Sequence, residues 1–165
     1  MVITRQDPFS FRLQTGETIV NFEQRSSLLE LKTGGKQLSM DAPGEYEMGG
    51  IAIEGAMSDG NIFYTIHWDD MIIGLGDPVR NGTSNGASAT YDILLLLITQ
   101  PSKTAKTLAE SDARVLIPFG EEKMVASFLK ELDESPEEME KLTIKKKDIP
   151  PEGERRIVVL KPLKK

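Results

Sequence analysis

Six consecutive residues, Ile93, Leu94, Leu95, Leu96, Leu97 and Ile98, are apolar without a polar position between them. Side chains alternate between the two faces of a strand, so a strand with no alternation has to be covered on both sides. The run is too short to cross a bilayer, which takes about 20 apolar residues in a helix. The chain is therefore expected to hold a sheet between two other layers, and Val115 to Ile117 repeats the pattern.

Before this run the sequence reads as short strands separated by turns: Phe9 to Leu13, Thr18 to Phe22, Ser27 to Lys32 and Gln37 to Met40, with Gly34-Gly35 among the turn signals. This predicts an antiparallel meander. A further strand is expected around Ile51 and Ile53. Ile62 to Trp68 then predicts Ile62, Tyr64, Ile66 and Trp68 on one face with Phe63, Thr65 and His67 on the other, and Asp69-Asp70 turns into Met71 to Leu75. Residues 80–90, with two Asn/Gly pairs and nothing to bury, are expected to form an exposed loop.

After Ile98, strand and helix alternate. Ser102 to Glu110 reads as a short helix, and Glu121 to Leu132 as a longer one that buries Met124, Val125, Phe128, Leu129 and Leu132. Ser135-Pro136-Glu137-Glu138 has the order of a capping box and predicts another short helix. Ile157 to Leu160 is the last strand. Strands first and alternation later imply one mixed α/β sandwich spanning residues 1–165, with helices on its outer faces.

The absence of cysteine excludes disulfides, zinc-thiolate sites, iron-sulfur clusters and thiol nucleophiles. Charged residues in the first twenty positions (Arg5, Asp7, Arg12, Glu17) leave no apolar core for a signal peptide, and a cytoplasmic protein is expected. The net charge of −6 argues against a phosphate-backbone binder, although residues 141–165 are locally basic; lysines flanking a final edge strand account for that segment.

His67 is the single histidine, and it falls in mid-strand with no nucleophile elbow in the chain. One imidazole without cysteine cannot assemble an ordinary zinc site. Asp69, Asp70, Asp77 and Asp92 fall at strand ends or turns, where they read either as oxygen ligands for a hard cation or as solvated turn residues. No phosphate-binding or dinucleotide-binding glycine motif is present, and Asn81-Gly82-Thr83 is a chance match to a glycosylation acceptor in a chain without an export signal.

Ala42-Pro43-Gly44-Glu45-Tyr46-Glu47-Met48-Gly49-Gly50-Ile51, then Ile72-Ile73-Gly74-Leu75-Gly76-Asp77, Tyr91-Asp92-Ile93-Leu94 and Val115-Leu116-Ile117-Pro118, resemble in order and spacing a prokaryotic branch of the metallo-β-lactamase superfamily. The resemblance extends over roughly residues 42–162. It implies an αββα sandwich and, in active members, water activated between two metal ions. The His-x-His-x-Asp-His ligand loop of that family has no counterpart here, and the segment from Phe22 to Asp41 leaves no room for it, which implies a truncated sandwich. Asp77 matches the metal-bridging aspartate. Gly120 stands where a late histidine ligand is expected after Ile117-Pro118-Phe119.

The resulting expectation is a non-catalytic protein on a hydrolase scaffold, an interaction or regulatory module without a cofactor, in which Asp77, Asp92 and His67 are vestiges of a metal site. The missing segment is expected to uncover apolar surface and so to require a protein partner, a second copy or an intact paralogue, with neither membrane nor nucleic acid involved. The alternative is a metal-dependent phosphodiesterase or esterase holding zinc, iron or manganese through Asp77, Asp92, His67 and either Asp69 or Asp70 in a remodelled or partner-completed site.

Overall fold

A computed structural model describes residues 1–58, 60–77, 90–108 and 112–163. The loop expected at residues 80–90 lies outside these except for Thr90, as does the Asn81-Gly82-Thr83 match.

The first sheet is a meander of β1 (Val2–Asp7), β2 (Ser10–Thr15), β3 (Thr18–Glu23), β4 (Leu28–Thr33) and β5 (Lys36–Met40). Strict alternation sorts its residues. Phe11, Phe22, Leu29 and Met40 stand opposite one another on the inner face. Thr4, Arg12, Asn21, Glu30 and Ser39 form the matching row on the outer face. Segment 22–41 thus runs from the end of β3 through β4 and β5 without a helix.

The second sheet comprises β6 (Gly44–Met48), β7 (Ile51–Ser58), β8 (Asn61–Trp68), β9 (Met71–Gly76), β10 (Thr90–Leu97), β11 (Asp112–Phe119), β12 (Glu137–Met139) and β14 (Arg156–Leu160). Its order is β12-β14-β11-β10-β9-β8-β7-β6: β6 to β9 pair antiparallel, and β9, β10, β11, β14 and β12 pair parallel. The chain passes between the sheets three times, from β5 to β6 at one side, then from β12 to β13 (Lys141–Thr143), which pairs with β1, at the other, and back from β13 to β14.

Two helices, α1 (Pro101–Leu108) and α2 (Glu122–Leu132), connect the parallel strands and pack through Leu108, Val125 and Phe128 on the outer face of the second sheet. The apolar run on β10 is divided as expected. Ile93, Leu95 and Leu97 point into the core between the sheets, while Leu94, Leu96 and Ile98 meet the helices. At roughly 1.5–3 kcal/mol for each large apolar side chain buried, this strand anchors both layers.

One expectation is corrected. Glu137, Glu138 and Met139 are not helical but extended, in register with Val158, Val159 and Leu160, and the Glu137 carboxylate takes Arg156 Nε at 2.6 Å and Nη2 at 3.0 Å. A free ladder edge and a facing arginine outweigh a local capping pattern. The outer face of the first sheet is mainly polar, and Met57 and Leu163 are the large hydrophobic residues found exposed among the described residues.

Candidate functional site

Parallel strands end at β9, β10 and β11 on the same side of the second sheet, the position at which open α/β sheets place their ligands. Asp77 follows Gly76 there, is 5% exposed, and accepts a hydrogen bond from the Thr99 hydroxyl at 3.4 Å. Gly76 has φ of +121°, a conformation that lets the chain turn sharply out of β9 and present the next residue at the sheet end.

Asp92 lies near the opposite end of the same strands. Its Oδ2 accepts the Ile72 N–H at 2.7 Å, and its Oδ1 faces Lys146 Nζ at 3.2 Å. Ile72 precedes Asp77 by five extended residues, roughly 17 Å of chain at about 3.3 Å each. His67 pairs with Ile72 on one side and Ala52 on the other, so it too lies at the Asp92 end. Its imidazole is exposed, in a shallow groove of about 420 Å³ with Glu45, Tyr46, Glu47 and Glu54.

Asp69 and Asp70 make the two-residue connection between Trp68 and Met71, with φ of +53° and +59°. That backbone is the one a tight hairpin needs, and aspartate tolerates it well, so turn geometry explains both residues.

Ligands of one ion stand about 2 Å from it, and even two ions about 3.5–4 Å apart span no more than about 8 Å between donors. The fold therefore separates Asp77 from Asp92, His67, Asp69 and Asp70. Among the described residues no group of three or more potential ligands is assembled, so the residues present do not fit the dinuclear zinc, iron or manganese centre implied by the resemblance.

Gly120 closes β11 with φ of +129°, and a Cβ there would lie 3.2 Å from the Ile98 carbonyl oxygen. A histidine at this position would strain the backbone before it reached a metal.

Arg5 was missed in the sequence because Val2–Asp7 was not read as a strand. Alternation from Ile3 would have placed it on the inner face. It is 7% exposed and ties three segments together: Nη1 donates to Leu160 O at 3.0 Å, and Nη2 donates to Pro8 O at 3.0 Å and to Gly120 O at 3.3 Å. Burial lowers its pKa, an effect only partly offset by nearby Asp7.

No protein-family model and no curated protein matches the sequence. Among solved structures, a proposed zinc-dependent hydrolase of the metallo-β-lactamase superfamily from Thermotoga maritima superposes with a TM-score of 0.62 at 18% identity, over 97% of this chain and 98% of that one. A proposed metal-dependent hydrolase from Parabacteroides distasonis matches with a TM-score of 0.42 at 11% identity, over 97% of each chain. The architecture of this chain is thus a metallo-β-lactamase-like sandwich, two sheets face to face with its described helices on one outer side.

Proposed function

We propose that the chain is a non-catalytic protein on a metallo-β-lactamase-like scaffold, acting as an interaction or regulatory module. The observation that carries this reading is the separation of Asp77 from Asp92 and His67 by the length of β9, with Asp92 held by Ile72 and Lys146. Side chains too far apart to share an ion cannot together hold a metal against water or lower the pKa of a bound water to near neutrality.

Metal analysis after purification without chelator tests the reading. We expect zinc, iron and manganese well below one equivalent per chain, and no phosphodiesterase or esterase activity above that of an Asp77→Ala control. A stoichiometric metal together with hydrolytic activity, both lost in Asp77→Ala, would overturn the reading in favour of a metal-dependent hydrolase.

The module would act on a protein partner, a second copy or a paralogue with an intact site. With a polar outer sheet, such a partner would engage sheet edges rather than a broad apolar face. Light scattering of the purified chain is expected to show a mass above that of the 18.3 kDa monomer. A monomer that co-purifies with nothing would count against the interaction role.

A further inference from the structure

The ion pairs between described residues are Arg114–Asp112, Lys146–Asp92 and Arg156–Glu137, and none involves Arg5. The three carbonyls around its guanidinium satisfy hydrogens without supplying a net negative charge, nearby Asp7 offsets burial only in part and forms no ion pair with it, and Nε, buried like the rest, has no acceptor at all. A guanidinium keeps its proton in proteins, and buried charges are ordinarily compensated.

Arg5 lines a groove of about 770 Å³, within the range of small-molecule sites. Its walls are mostly apolar: Phe9, Val125, Leu129, Pro136, Val159 and Pro162. The start of α2 opens onto the same groove. Its N-cap, Glu121, makes no side-chain capping bond, and Val125 N is the first amide to reach back, to Glu121 O at 3.0 Å. The amides of the first turn therefore have no intrahelical acceptor, and they add the positive end of the helix dipole. A second guanidinium, that of Arg25, stands 4.3 Å over the Phe9 ring.

Glu121, Glu122 and Glu138 also touch the groove, but all three are exposed, where solvent and salt screen them. Arg5 acts from a buried position, where screening is weak, so the floor of the groove favours an anion while its walls favour hydrocarbon.

We propose that this groove binds a small amphiphilic carboxylate, with the carboxylate beside Arg5 and the start of α2 and an acyl or aryl body against Phe9, Val125 and Leu129.

Titration calorimetry of the full chain with octanoate, 1-octanol and octyltrimethylammonium tests the proposal. Octanoate is expected to bind saturably at one site per chain, at least tenfold more tightly than the alcohol or the cation. Leu129→Trp, which fills the groove from a half-buried position, should weaken octanoate at least tenfold while leaving the melting temperature of the free protein near its original value. Arg5→Met should abolish the preference for carboxylate over alcohol. If loss of its three carbonyl bonds prevents that variant from folding, Leu129→Trp decides alone. The absence of saturable binding, equal affinity for octanol, or octanoate binding unaffected by Leu129→Trp would each overturn the proposal.

Discussion

Asp92 completes the β9–β10 edge with its side chain: the Ile72 N–H, at the start of β9, donates to Asp92 Oδ2 at 2.7 Å. A residue that resembles a metal ligand in sequence thus serves the sheet ladder. Leaving the Ile72 amide without an acceptor would cost about 1–3 kcal/mol. Asp92→Ala is therefore expected to lower the urea midpoint accordingly, with Asp92→Asn recovering part of the loss. Lys146→Ala should cost less than about 1 kcal/mol, because that ammonium is largely in solvent.

Tyr64 lies fully buried between the sheets, its one hydroxyl proton shared between Ser27 O at 2.7 Å and Met40 O at 3.1 Å. Burial first, then the charges of Tyr46 and Asp41, push its pKa up to about 12. The folded state thus holds the proton more tightly than the unfolded state, for which the ordinary value is about 10. Its contribution to stability is complete below pH about 10 and is lost as pH rises through about 12. Alkaline unfolding followed by circular dichroism should show this loss. In Tyr64→Phe, stability should start lower by about 1–3 kcal/mol and fall less steeply in that window.

Gly120 cannot simply be turned back into a ligand. Its positive φ and the 3.2 Å approach of a Cβ to Ile98 O oppose any side chain there. Gly120→His is expected to lose roughly 1–3 kcal/mol in thermal or urea unfolding without gaining a stoichiometric metal. A variant as stable as the parent that binds one zinc per chain would contradict this.

The Glu137–Arg156 pair guides the β12 edge more than it stabilises it. The hydrogen bond from Arg156 holds the Glu137 carboxyl below its ordinary pKa, so its contribution is present above the unfolded-state value and is lost as pH falls through the folded-state value. Glu137 is exposed and Arg156 partly so, and screening by solvent limits the effect to about 0.5 kcal/mol or less. Glu137→Gln should leave the melting temperature at neutral pH nearly unchanged, and hydrogen exchange at Leu160 and Lys161 is expected to report any loosening of the edge.

Much of the fold was legible because it rests on local periodicity. The all-apolar run on β10, the face assignment within Asn61–Trp68 and the stripe on Glu122–Leu132 all appear in the structure as the spacing predicts. The strand at Glu137–Met139 was hidden, because its partners Val158 to Leu160 lie some twenty residues away and a local capping pattern says nothing about a distant open edge.

By itself, the sequence determined the layers, through the alternation of apolar and polar residues, and the supply of chemistry, through one histidine and no cysteine. Only the tertiary structure decided which acidic residues could meet. The parallel register of β9 and β10 puts Asp77 and Asp92 at opposite strand ends, and it depends on pairing between segments whose separation in sequence bears no relation to their distance in space. The same pairing carried Arg5, at the beginning of the chain, to carbonyls at its middle and end, a placement that no local pattern encodes.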